Sequence, residues 1–150
     1  EAIGGIMGSA SGILLGRVTY EMFAPAWSTR TADDDPGAPF MNGTHKYVVS
    51  GTLEAASWGP ATILGGYDPR RIRALKEEVD GDLYVSGSGT LVRAMLNDGL
   101  VDELHMFIYP VVIGVGPHLF DHESRSTAYE TYAVEHYPSG IIHVAYRPVV

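Results

Sequence analysis

The sequence contains no cysteine, which excludes disulfides, thiolate metal sites and cysteine nucleophiles at the outset. It also lacks a long hydrophobic run. The longest apolar stretch, Met106 to Val115, is interrupted by Tyr109, Pro110 and Gly114, so no segment is expected to span a membrane. Basic residues are few, 10 Lys and Arg against 18 Asp and Glu, and they are scattered; a net charge of -8 repels a polyanion, so nucleic acid is not an expected partner. The opening residues show no basic, apolar and cleavage regions of a secretory leader, and the expected location is the cytoplasm.

What is present is enough for one compact domain: 150 residues, 45% of them hydrophobic. After a short helical pattern at Ala2 to Met7, Gly12-Ile13-Leu14-Leu15-Gly16 is a continuous apolar run, the mark of a strand buried on both faces. A helix follows, with Thr19 as its expected N-cap, Tyr20, Phe23 and Trp27 on one face, and Pro25 limiting it to a turn or two. Ser28 to Gly43 shows no period and reads as a long surface loop. Strands are expected at Lys46 to Ser50, Ala61 to Leu64 and Leu83 to Val85. Asp68-Pro69 opens a helix with Ile72, Leu75 and Val79 on its apolar stripe, and a second helix, Leu91 to Leu96, stops at Asn97-Asp98-Gly99. From Asp102 the period is two, with Leu104, Met106 and Ile108 opposite His105, Phe107 and Tyr109. Pro138-Ser139-Gly140 joins two closing strands as a hairpin. Strands alternating with helices, then antiparallel strands, predict an α/β fold: a three-layer mixed β-sheet flanked by helices, with an antiparallel C-terminal hairpin.

Three strand ends carry similar chemistry. Val85 leads into Ser86-Gly87-Ser88-Gly89-Thr90 and a helix, where glycines permit close backbone approach and the first helical N–H groups face an anion. The same residues also serve as a plain strand-to-helix corner. Gly16-Arg17 ends a strand before a helix and adds a guanidinium, and Ser50-Gly51-Thr52 places hydroxyls at a third strand end.

Leu14 to Glu21, Lys46 to Ser50 and Val85 to Leu91, in that order and at those separations, resemble the three cofactor-binding stretches of the dihydrofolate reductase superfamily, and more closely its branch containing the reductase domain of bacterial riboflavin biosynthesis, the RibD C-terminal domain. Met41-Asn42, Thr52-Leu53, Trp58, Gly99 to Leu104 and Pro110 to Gly114 support the likeness, which covers nearly the whole chain. The resemblance implies an NADPH-dependent reductase acting on a small, flat substrate, pterin-like or a ribosylated pyrimidine. It implies cofactor contacts at Gly16, Arg17 and Thr19, at Ser50 near the adenosine phosphate, and at Gly87, Ser88, Gly89, Thr90 and Leu91 around the pyrophosphate. A cis peptide is often found at the position of Gly87-Ser88. The apolar Met22, Phe23 and Trp27 would line the substrate side or else belong to the core.

The family opens with a central strand and a Ser-x-Asp-Gly-like segment that have no counterpart from Glu1 onward, so the single domain is expected to lack its N-terminal strand, and the native product to carry one upstream. No proton donor is identified; Tyr109, Glu21 and Asp102 are the polar candidates, each also readable as structural. His118 and His122 stand at i, i+4, but Gly116-Pro117 opposes a helix and no third ligand is evident, so no metal is expected. His45, His105, His136 and His143 read as structural. The apolar Pro110 to Val115 and the terminal hairpin point to a homodimer. Two alternatives to a reductase stand: a non-catalytic relative that binds a dinucleotide or another small molecule, and an interaction module with a decayed site.

Overall fold

The structure, a computed structural model, describes residues 2–149. Strand β1 (Ala10–Gly16) follows helix α1 (Ala2–Gly8), and its Ile13, Leu14 and Leu15 have no exposed surface, as the continuous apolar run requires. Helices α2 (Arg17–Trp27) and α3 (Ala38–Gly43) lead to β2 (His45–Val49) and β3 (Ala61–Gly65); α4 (Pro69–Glu78) then leads to β4 (Asp82–Tyr84) and α5 (Gly89–Asn97). The four strands are all parallel, in the order β3-β2-β1-β4, with Gly12 to Gly16 of β1 paired to His45 to Val49 of β2. Ile13, Leu15 and Val48 form one core with Tyr20, Met41 and Trp58, and Phe23 and Trp27 pack against it. The chain divides into two compact units, Glu1–Val92 and Arg93–Val150.

Several expectations change in this first unit. Helix α2 runs 11 residues with Pro25 inside it. The helix survives because Pro25 costs only one backbone bond near its end, while Tyr20, Phe23, Ala24 and Trp27 anchor the last turns in the core, and Asn42 donates through Nδ2 to the carbonyl of Trp27 at 2.9 Å. Its N-cap is Gly16, without a side-chain cap bond; Thr19 sits in the first turn and its hydroxyl is used elsewhere. The supposed loop at 28–43 contains helix α3. The Asp35 carboxylate accepts from Gly37 N–H at 2.8 Å, Pro39 lies in the first turn, and Ala38 and Met41 are buried. Asp68 caps α4 as its sequence predicts, accepting from Arg70 N–H at 2.9 Å.

Beneath this sheet lies a fully buried cation, Lys46. Its ammonium donates to the carbonyls of Thr44 (2.9 Å), Asn42 (3.3 Å) and Gly59 (3.3 Å) and stands 4.4 Å from the centre of the Trp58 ring. Trp58 is held in turn by Nε1–H donation to Asn42 Oδ1 at 2.8 Å and by the Tyr20 hydroxyl. Burial pulls the Lys46 ammonium down to about 8.

The second unit contains β5 (Leu104–Ile108), β6 (Tyr129–His136) and β7 (Ile142–Pro148), an antiparallel sheet in the order β5-β7-β6. The antiparallel strands therefore pair as a sheet of their own. Tyr137 to Gly140 closes the hairpin, with Gly140 at φ 84° and its N–H donating to the Tyr137 carbonyl at 2.9 Å. Gly99, at φ 66°, ends α5 as expected. Residues 118–125 are laced to the last turns of α5: Arg93 pairs with Asp121 at 2.7 Å, and Asn97 Oδ1 accepts from Arg125 N–H at 2.9 Å. His118 and His122 lie in this irregular segment and not on a helix. Val111, Val112, Ile113 and Val115 form an exposed apolar segment, Val112 at 94%, with Gly114 and Gly116 in left-handed conformations.

Candidate functional site

Because β1 to β4 run parallel, their C-terminal ends share one edge of the sheet, the position at which parallel α/β sheets place their ligands. The three stretches picked out in sequence meet there on adjacent strands. Gly16, the last residue of β1, pairs in register with Val49, so Arg17 and Ser50 leave neighbouring strand ends side by side. On the other flank of β1, the turn between β4 and α5 folds back: Ser88 Oγ accepts from Gly16 N–H at 3.0 Å, and Ser88 N–H donates to Thr19 Oγ1 at 3.0 Å. These two bonds tie the N-terminus of α2 to the N-terminus of α5. Each helix presents first-turn N–H groups without intrahelical partners and the positive end of its dipole, and the two together make a stronger anion seat than either alone.

The turn favours a glycine at its first left-handed position. Gly87 (φ 60°) and Ser88 (φ 53°) are both left-handed, and a side chain on Gly87 would lie 3.6 Å from both the methyl and the hydroxyl of Thr19. The Gly87-Ser88 peptide is trans; Gly59-Pro60 is the cis peptide among the described residues. At Gly89 no described atom lies within 4 Å of where a Cβ would stand, so the first turn of α5 is open to an approaching group. Thr90 is exposed at the same turn, whereas Leu91 is buried, at 7%, beneath it.

Arg17 is the guanidinium at this seat. It pairs with Glu21 at 2.7 Å, with both side chains near half exposed, so it is free to exchange partners. Ser50 is buried and shapes its own turn, accepting at Oγ from Thr52 N–H (3.1 Å) and Leu53 N–H (2.9 Å). The apolar trio does not stay together: Phe23 and Trp27 turn into the core, while Met22 is 64% exposed on the same side as Val18. Of the three polar candidates for proton donor, Glu21 lies beside the seat; Tyr109 and Asp102 belong to the second unit.

No sequence signal singled out Thr19 as the acceptor for a turn 69 residues away, because a Ser or Thr near a helix start reads first as a cap. Also unforeseen was a run of hydrogen-bonded ionisable groups across the antiparallel sheet, where His105 and His143 read only as strand residues.

Residues 1–143 match the model of the RibD C-terminal domain. An uncharacterized protein of Bacillus subtilis, YyaP, is 26% identical over 138 residues, covering 90% of this chain and 72% of its own length. Among solved structures, the chain is similar to a putative riboflavin biosynthesis protein from Shewanella (TM-score 0.77, 19% identity, 97% of this chain and 78% of that one). It is also similar to a pyrimidine reductase-like protein from Corynebacterium diphtheriae (TM-score 0.61, 17% identity, 94% and 77%). A dihydrofolate reductase from Enterococcus faecalis complexed with NADP(H) matches at TM-score 0.60 and 12% identity over 91% of this chain and 73% of that one. The fold is dihydrofolate reductase-like.

Proposed function

The chain belongs to the RibD C-terminal domain family, a reductase-type family, and on that premise we propose that it is an NADPH-dependent reductase of a small, flat, pterin-like or ribosylated pyrimidine-like substrate. The observation that carries this reading is the pair of helix N-termini tied through Ser88, with Arg17 and Ser50 on the adjacent strand ends. The residues fit a dinucleotide phosphate. N–H groups of α2 and α5 would hold the pyrophosphate over open Gly89, and Arg17 would meet the further phosphate that distinguishes NADPH from NADH. When bound, the nicotinamide supplies the hydride; the protein orients the partners and excludes water. The Enterococcus structure, complexed with NADP(H), and the name of the Corynebacterium protein support cofactor and substrate class.

Ser88 offers a direct test. Its oxygen accepts from Gly16, and among the described residues its O–H reaches the Ser86 carbonyl at 3.5 Å, a long contact that a phosphate oxygen can replace. Ser88→Ala is expected to weaken NADPH and NADH alike by roughly tenfold or more, the loss of one charge-assisted hydrogen bond. Fluorescence titration of both cofactors measures it, and an unchanged affinity would remove the seat from its assigned place.

A second reading, binding without turnover, draws on one observation: the carboxylate beside the seat, Glu21, is already held by Arg17. The two readings separate when NADPH and pterin or pyrimidine acceptors are supplied together. A reductase consumes NADPH; a sensor binds it and does not. We further propose a homodimer formed through the exposed Val111 to Val115 segment and the nearby strand residues Ile108 and Val134. Light scattering at micromolar concentration is expected to give about twice the chain mass of 16.2 kDa, and a single-chain mass would exclude the dimer.

A further inference from the structure

The last turns of α5 and residues 120–129 flank a pocket of about 360 Å³ whose lining belongs entirely to the second unit. Its apolar side consists of Leu96 on the helix, Phe120, and Tyr129 at the start of β6. Tyr129 is braced by Tyr146 of β7, with ring centroids 6.2 Å apart, whereas Phe120 leaves 49% of its surface in water. An exposed phenyl ring on a concave apolar surface is available to pack against a ligand.

The polar side holds two guanidiniums of different standing. Arg93 is matched, since it pairs with Asp121 at 2.7 Å and donates to the His118 carbonyl at 3.0 Å. Arg125 has no carboxylate partner among the described residues. Its main-chain N–H donates to Asn97 Oδ1 and its Nη1 to the Asn97 carbonyl, both at 2.9 Å, which fixes the residue against α5 and spends one of the five N–H groups a guanidinium offers. Ser126 and Thr127 add two hydroxyls to the same wall. No acidic residue lines the pocket, and Glu123, the carboxylate nearest Arg125 in sequence, is exposed and is not part of the lining. In a chain of net charge -8, this is a local excess of positive charge set against apolar surface.

That combination selects a ligand with a flat apolar body and an anionic head. A carboxylate is planar and offers two oxygens to the guanidinium fork, whereas a dianionic phosphate asks for more than the one unmatched cation present. Size sets the body. A cavity of about 150 Å³ holds one benzene ring, so this pocket has room for one or two fused rings together with the head. We propose that the pocket is a binding site for an aryl carboxylate, its carboxylate forked onto Arg125 beside Ser126 and Thr127 and its rings laid over Leu96, Phe120 and Tyr129. The site shares no residue with the phosphate seat at Arg17 and Ser88, so either can exist without the other.

NMR titration of the full chain with 2-naphthoate, in the absence of NADPH, tests this. Saturable shifts are expected at Leu96, Phe120 and Arg125 to Thr127, with a midpoint of about 1 mM or below, as for a ligand of about 13 non-hydrogen atoms. The neutral isostere 2-naphthamide is expected to bind the same residues about tenfold more weakly, and acetate, a head without rings, to give no saturable shift over the same range. Arg125→Gln should bring 2-naphthoate down to the affinity of 2-naphthamide and leave the latter unchanged. Three outcomes in the wild type would overturn the proposal without reference to any variant: no saturable shift with 2-naphthoate, shifts confined to the first unit, or equal affinity for acid and amide. The last is what an Arg125 that merely caps the end of α5 would give. Saturation by acetate as readily as by 2-naphthoate, or an Arg125→Gln protein that still prefers the acid, would overturn it as well.

Discussion

Arg17→Ala is expected to erase the discrimination between NADPH and NADH, weakening NADPH roughly ten- to a hundredfold while leaving NADH nearly unchanged. The magnitudes decide which partner the guanidinium keeps. An exposed pair such as Arg17 with Glu21 contributes on the order of 0.2–1 kcal/mol, whereas a charge-assisted contact to a phosphate contributes about 1.5–3 kcal/mol, so the phosphate wins the exchange. The converse follows. Glu21→Gln releases the guanidinium beforehand and is expected to tighten NADPH by up to about fivefold, the strength of the lost competitor. Parallel fluorescence titrations of both variants with both cofactors check this. An Arg17→Ala protein that retains its preference would place the discriminating phosphate elsewhere, without touching the separate assignment of the pyrophosphate to Ser88.

Lys46→Met is expected to destabilise the fold by on the order of 2–4 kcal/mol at neutral pH, and the deficit is expected to grow at alkaline pH. Removing the ammonium takes the donor from three main-chain carbonyls, of Asn42, Thr44 and Gly59, and leaves the Trp58 face without its cation. The direction with pH follows from proton counting. The native-state value, about 8, lies below the ordinary 10.5, so between those limits the unfolded chain binds more protons than the folded one, and stability rises with pH. The carbonyls and the indole favour the charged ammonium and offset part of that shift. Between pH 7 and pH 10 the gap between wild type and Lys46→Met should therefore widen by about 1–2 kcal/mol. Urea unfolding at the two values measures it. A gap that narrows would mean that the folded state holds the proton more tightly than water does.

The strands and helix ends of the first unit could be read from sequence wherever one local cause dominates: an apolar run too continuous for a half-exposed strand at Ile13 to Leu15, an Asp-Pro start at Asp68, a left-handed stop at Gly99. The three strand ends bearing glycines and hydroxyls could likewise be read, and parallel pairing brings them to one edge of the sheet. Long-range packing hid the rest. Pro25 announces a helix end, but core contacts of Trp27 hold the turn beyond it; 38–43 is too short to show a period, though Ala38 and Met41 are buried and Phe40 packs against the core. Met22 sits next to Phe23 in sequence and faces the other way, since adjacent helical residues lie about 100° apart. Nothing local joins His105 to His143 across 38 residues; only the register of β5 against β7 brings the two imidazoles together.

The segment from Pro110 to Pro117 poses a problem of restraint. Val-Val-Ile with a further valine close behind is the composition from which stacked cross-β fibres are built, and here it stands in water, Val112 almost wholly so. Fibre growth needs an unbroken extended backbone with every amide available to the next chain. Gly114 and Gly116 turn left-handed within the segment and prolines close both ends, so any run that could add itself to an incoming strand is only a few residues long. A β-branched residue at Gly114 would favour an extended chain there and remove a gatekeeper. The glycine spacing thus lets the chain present a sticky surface at high concentration without offering a template for polymerisation.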